Sequence, residues 1–313
     1  MDGLTALLDG PRAREAFLLR STLSPPWSIR VADGAALTLC TVVSGTACVL
    51  PAGGGVHRLG PGDVALFKGP RPYTVADNPD TAPQITILPG QLCRVGPDQE
   101  GGEVTPMADL GTRSWGNDPD GDTVLVTGTY QLPGETSRRL LDALPELALL
   151  PDPGRGGPLV ALLAEEIVRD EPGQGAVLDR LLDLTLISVL RAWFARPGGG
   201  APGWYTAYGD PVVGPALRLL HDDVTRAWTV EDLAAEVGVS RAGLARRFRE
   251  LVGEPPMAFL TNWRLALAAD LLRSSDLTLE AVARQVGYGT PFALSAAFKR
   301  VRGVSPAGYR MSN

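Results

Sequence analysis

Residues 228–256 read WTVEDLAAEVGVSRAGLARRFRELVGEPP, and residues 277–306 read LTLEAVARQVGYGTPFALSAAFKRVRGVSP. They are two copies of one pattern about fifty residues apart: Thr229 matches Thr278, Val237 matches Val286 and Gly238 matches Gly287. After one inserted residue Ser240 falls on Thr290, Leu244 on Leu294, Phe248 on Phe298, Gly253 on Gly303 and Pro256 on Pro306.

Each matched position has a structural role. Thr229 and Thr278 suit the N-caps of short helices whose Leu233 and Val237, or Val282 and Val286, recur at helical spacing. Gly238 and Gly287 end those helices in a conformation that lets a second helix leave steeply, the geometry of a helix-turn-helix. Ser240 and Thr290 then cap the second helices.

In the first second-helix, Leu244, Phe248 and Leu251 form the stripe for burial, leaving Ala242, Ala245, Arg246 and Arg249 on a face that fits a major groove. The corresponding face of the second copy carries Phe292, Ser295, Ala296 and Lys299, with Arg300 and Arg302 near where phosphates would lie. The apolar-rich segment from Pro256 through Trp263 and Leu267 to Leu272 reads as one helix holding both units. Two recognition helices could then occupy successive major grooves, about 34 Å apart.

Residues 212–310 resemble the DNA-binding domain of the AraC/XylS family of bacterial transcription regulators. The resemblance rests on the Ala234-Ala235 and Ala283 helices, the run Leu244, Arg246, Phe248, Gly287-Tyr288, Phe298-Lys299-Arg300 and the closing SPAGYR of Ser305 to Arg310. It implies double-stranded DNA as partner, a homodimer, RNA polymerase as a further candidate partner and an unidentified small-molecule effector. The family usually has Arg where this chain has Ala296, and often an acidic residue at Thr290. Arg246, with Arg241 and Arg249 beside it, is therefore expected to carry most base or phosphate contact; a bidentate Arg–guanine pair is worth about 1–3 kcal/mol of discrimination.

With 313 residues, 44% hydrophobic and 20% charged, the chain suits two ordinary globular domains. The start, MDGLTALLDG, lacks the basic region and long apolar core of a signal peptide, no stretch reads as a membrane span, and a cytoplasmic location is expected. Residues 212–313 carry a net charge of +3 and the rest −9, so only the C-terminal part suits a polyanion.

The N-terminal part opens with a helix-like MDGLTALL and continues in β-rich runs at 16–19, 27–31, 37–43, 47–50, 63–67, 73–76, 85–88 and 123–132. Turns at Ser44-Gly45, Gly53-Gly54-Gly55, Pro61-Gly62 and Gly69-Pro70 separate them, which predicts an antiparallel barrel or jelly roll. The runs PWSIR (Pro26–Arg30), LGPGDVALF (Leu59–Phe67) and VTGTYQL (Val126–Leu132) resemble the cupin-like sensor domain of one AraC-family branch. Metal-binding cupins need a His cluster with a carboxylate. Here His57 is the sole histidine of this part, Tyr73 stands where relatives often place His, and His221 lies in the C-terminal domain. No metal, cofactor or catalytic residue is expected.

Some relatives in this branch are redox sensors, which makes Cys40, Cys48 and Cys93 redox candidates; Thr127 stands where such relatives often carry Cys. A hairpin at Ser44-Gly45 would pair Thr41 with Cys48 and turn Cys40 and Cys48 to opposite faces, opposing a disulfide between them. Two helical patterns follow, Pro158–Asp170 and Ala176–Ala195, the second apolar on more than one face. That second helix fits either the outside of the barrel or, as favoured here, an antiparallel helix pair between two subunits. In the linker RPGGGAPGWYTAYGD, Trp204, Tyr205 and Tyr208 are candidates for docking on a domain.

The expected fold is α+β: an N-terminal antiparallel cupin-like barrel (1–150), a helical dimerisation element (151–195), a linker (196–211) and an all-α tandem helix-turn-helix domain (212–313). The expected function is a sequence-specific transcription regulator responding to a small molecule, activation and repression both being open. Alternatives are a thiol-based redox regulator and a cupin-type enzyme with an accessory DNA-binding domain.

Overall fold

The computed structural model describes residues 17–96, 104–106, 110–111, 113–130, 134–151, 157–196 and 200–311. The helix expected in MDGLTALL lies outside them. The described residues fall into two compact units, 17–130 with 144–196, and 134–143 with 200–311.

The first unit holds thirteen strands: β1 (Phe17–Leu23), β2 (Ser28–Val31), β3 (Leu37–Ser44), β4 (Ala47–Pro51), β5 (His57–Leu59), β6 (Val64–Lys68), β7 (Tyr73–Ala76), β8 (Ile85–Leu88), β9 (Leu92–Val95), β10 (Val104–Pro106), β11 (Ser114–Gly116), β12 (Thr123–Tyr130) and β13 (Leu147–Leu150). They make two sheets, ordered β11-β1-β12-β3-β6-β13 and β10-β9-β8-β2-β7-β4-β5. Both contribute to one core, Leu19, Val42, Phe67 and Leu125 from the first meeting Ile29, Val49, Val75 and Ile87 from the second. Of the expected barrel or jelly roll, the described strands form no closed barrel but two sheets sharing a core, and the pairs β1–β11 and β2–β8 are parallel rather than antiparallel.

The Ser44-Gly45 turn is not a hairpin. It carries the chain from β3, bonded to β12 and β6, to β4, bonded to β5 and β7 in the other sheet. Gly45 has φ 73°, and a Cβ there would lie 2.8 Å from the Thr123 backbone, so the crossing needs glycine. The pairing of Thr41 with Cys48 inferred from a hairpin is therefore overturned.

Strand β3 is buried on both faces because helices cover the outside of its sheet. Helix α2 (Gly157–Glu166) packs on β3 and on α3 (Gln174–Phe194). At Gly128 of β12 an added Cβ would meet Leu182 of α3 at 2.6 Å, and the Tyr130 hydroxyl donates to the Leu182 carbonyl at 3.0 Å. Thus Leu178, Leu181, Leu182, Leu186, Val189 and Leu190, the residues that gave α3 its excess apolar surface, are buried within the subunit. Val177 and Leu184 stay about half exposed on the opposite side.

The second unit gathers α1 (Glu135–Asp142), α4 (Gly203–Ala207), α5 (Val213–Asp222), α6 (Val230–Glu236), α7 (Arg241–Val252), α8 (Pro256–Ser274), α9 (Leu279–Gln285), α10 (Pro291–Arg302) and α11 (Pro306–Met311). It has two cores. Leu217, Leu233, Leu244 and Phe248 surround the first, and Val282, Val286, Leu294 and Phe298 the second. Helix α8 serves both, giving Phe259 and Leu260 to one and Leu265, Ala269 and Leu272 to the other. Trp204 and Tyr208 pack on the first core, so the aromatic half of the linker belongs to this unit. His221 of α5 sits among aromatics, its ring edge-on to that of Trp263 at 4.6 Å.

Candidate nucleic-acid interface

All four expected N-caps form by local chemistry. Thr229 accepts from the Asp232 amide while Asp232 accepts from the Thr229 amide, a capping box; the Thr229 hydroxyl donating to Asp232 at 2.7 Å, and then the Thr229 amide, hold that carboxyl below its ordinary value. Ser240 accepts from the Gly243 amide at 3.1 Å, Thr278 from Ala281 and Thr290 from Ala293. Gly287 turns the chain between α9 and α10 at φ 79°, where an added Cβ would lie 2.8 Å from the Val224 carbonyl oxygen.

On α7 the buried stripe is Leu244 and Phe248. Arg241, Ala242, Arg246 and Arg249 are exposed and Ala245 is half-buried. Arg241 pairs with Glu231 at 2.9 Å and Arg246 with Glu250 at 3.2 Å. Such solvent-exposed pairs hold a side chain by about 1 kcal/mol or less, leaving both guanidinium groups available to a stronger anion.

Arg247, the neighbour that the repeat does not mark, does something else. Its guanidinium grips Asp210 with contacts of 2.6 and 3.0 Å, while Asp210 accepts from the amides of Val212 and Val213 at the start of α5. The Arg247 hydrogen bonds hold the Asp210 carboxyl down to about 2.

On α10, Leu294, Ala297 and Phe298 are buried. Phe292, Ala296, Lys299 and Arg300 are exposed and Ser295 is half-buried. Arg302, expected near phosphates, instead bonds the Glu135 carboxylate on α1. Burial pulls that carboxyl upward, but hydrogen bonds from Arg302 and Tyr309 outweigh it and hold it below its ordinary value. Asp270 of α8 caps α1 from outside, accepting from the Thr136 amide at 3.1 Å and its hydroxyl at 2.7 Å. Arg139 adds a pair with Glu254 at 3.0 Å.

Sequence reasoning missed α1. Its signals were Pro133 and Pro145 bracketing an amphipathic run with Leu140 and Leu144, but Gly134 offers no capping side chain and the true cap stands 134 residues away.

A cupin family model matches residues 2–195 and a helix-turn-helix domain model matches residues 233–312. An AraC-like transcription regulator of Streptomyces antibioticus is 33% identical over 99% of this chain and 98% of its own. The chain belongs to the AraC family of DNA-binding transcription regulators. A second AraC-like regulator, from Streptomyces lividans, is 36% identical over 80% of this chain and 79% of its own. The DNA-binding domain of AdpA, solved with a target DNA, is 36% identical, covering 33% of this chain and 93% of that one, at a TM-score of 0.32.

The cupin-type unit of this AraC-family protein holds a cavity of about 40 Å³ between its sheets. Leu19, Ile29, Val75 and Leu125 line it, with Asp33, Gln91 and Thr127 as polar groups. Cys40 also faces it, with Thr127 Oγ1 donating to its sulfur at 3.7 Å. Burial pushes the Cys40 thiol up to about 11, and Cys48 and Cys93 are likewise buried. His57 sits half-buried on edge strand β5.

Proposed function

We propose that this AraC-family protein is a cytoplasmic homodimer that reads promoter DNA through α7 and α10 and is controlled by a small molecule bound in its cupin-type unit. The observation that carries the DNA reading is the pair of capped helices braced on α8, each with a buried Leu/Phe stripe and an open opposite face. Ser240, Arg241, Ala242, Ala245, Arg246 and Arg249 form the first contact face. Thr290, Phe292, Ser295, Ala296, Lys299 and Arg300 form the second. The hydroxyls at 240 and 290 act as caps that fix the helix starts where base edges are met.

Sensing by small-molecule binding is favoured over oxidation of Cys40, the cysteine that faces the cavity, because burial raises its thiol to about 11, where it is almost wholly protonated at neutral pH, and the thiolate is the reactive form. A ligand changes the regulator only through unequal affinity for its two states. No catalytic role is assigned to any residue. RNA polymerase is a further partner in this reading, whichever direction regulation takes.

Hydroxyl-radical footprinting tests the DNA part. Each half-site should show two protected segments on one face of the duplex, about one helical turn apart. Protection over a single groove would count against use of both helices. For the sensor part, candidate metabolites are screened for thermal stabilisation of the full chain; a true effector raises Tm and a β unit that only dimerises the protein responds to none.

A further inference from the structure

The faces of α7 and α10 are chemically unlike. Arg241 and Arg246 flank the small Ala242 on α7, whereas Phe292 takes the matched place on α10, with Ser295 and Ala296 following it. At 83% exposure Phe292 is the most exposed large apolar side chain among the described residues. It stands in the first turn of α10, directly after the Thr290 cap and Pro291. Phe292, Ser295, Ala296 and Lys299 are spaced i, i+3, i+4, i+7, which puts them on one stripe.

Along that stripe only Ser295 can exchange hydrogen bonds with a base before the cations begin at Lys299 and Arg300, near the other end of the helix. N-terminal residues of a recognition helix meet base edges. A phenyl ring neither donates nor accepts a normal hydrogen bond, and the apolar group it can meet on a major-groove edge is the thymine C5 methyl. The bases opposite α10 would then be read by contact with methyls and those opposite α7 by hydrogen bonds to arginine.

We infer that Phe292 is a specificity-determining residue that packs on thymine methyl groups, so that the operator is bipartite: a guanine-containing segment under α7 and a thymine segment under α10. This rests on the DNA-contact reading above and adds the base class to it. Phe292 takes part in no core of its own unit, so its removal should leave the fold intact.

The test selects binding sequences in vitro with the full-length protein, then replaces each thymine of the enriched sequence singly by deoxyuridine, which deletes only the methyl. Wild type should lose about three- to fivefold in affinity at one or two positions clustered in one segment, the worth of a buried methyl. Phe292→Ala should bind the thymine operator more weakly and show no further loss on deoxyuridine substitution, with unchanged Tm and oligomeric state. Equal binding of every deoxyuridine operator by wild type would overturn the assignment while leaving DNA binding intact. A methyl effect undiminished in Phe292→Ala would overturn it too, as would a change in oligomeric state without a change in operator preference. If no sequence is enriched at all, the DNA-contact reading fails first and this one with it.

Discussion

Glu135 and Arg302, 167 residues apart in the chain, form an ion pair in which the glutamate side chain is 10% and the arginine side chain 24% exposed. Helix α1, which follows the long strand β12 in sequence, thereby engages the end of α10, and Tyr309 donates to the same carboxylate at 3.0 Å. One cation of the α10 segment is spent inside the protein.

Glu135→Gln keeps the shape of that contact and removes its charge. Arg302 then becomes available to a phosphate, and the slope of log K against log salt should steepen by about 0.9, the yield of one further neutralised phosphate. An unchanged slope would show that Arg302 is out of reach of the DNA backbone.

The Asp210–Arg247 strap should make the helical unit acid-sensitive. The folded carboxyl titrates at about 2 against an ordinary 3.8, so its stabilisation is present above about pH 4 and drains away as pH falls toward 2. Arg247→Ala should therefore lower Tm at pH 6 and differ less from wild type at pH 3, as followed by circular dichroism. A gap that stays constant between these pH values would exclude the strap as its source.

Gly287→Ala places a side chain at φ 79° within 2.8 Å of the Val224 carbonyl oxygen. A loss of about 1–3 kcal/mol in denaturant unfolding is expected, since both strain and a backbone clash are imposed. The matched Gly238, at φ 71° with open space around its Cβ position, should lose less on the same substitution. Equal losses would argue that conformation alone matters.

In the proposed homodimer the exposed side of α3 is the expected interface. Leu184 is 52% and Val177 45% exposed, seven residues apart on one side of the helix, so Leu184→Glu should leave Tm of the dilute protein unchanged yet raise the dimer dissociation constant by about tenfold or more. Sedimentation equilibrium reads this directly. A variant that stays as dimeric as wild type moves the interface elsewhere.

The features legible in the sequence were those fixed within one turn of chain. Thr229, Ser240, Thr278 and Thr290 cap helices that begin at the next residue, and a cap needs an amide only two or three residues on. Distant partners left no such mark. A Ser-Gly turn looks alike whether the next strand pairs with the last or crosses to another sheet, so the β3–β4 crossing was misread. Helical spacing set Arg246 on the exposed stripe but left Arg247 without a role, because its partner Asp210 lies 37 residues away. The apolar surplus of α3 was real, but Gly128 lets its sheet come close enough to use most of it.

The proposed role of Arg246 on α7 is to read specific DNA. Its most direct test compares wild type and Arg246→Ala for binding to fragmented DNA from the protein's own source at near-physiological salt. A few sharp sites that weaken by about five- to 150-fold in the variant, the worth of one Arg–guanine pair, are predicted. Diffuse, salt-sensitive binding of equal strength in both proteins would contradict it.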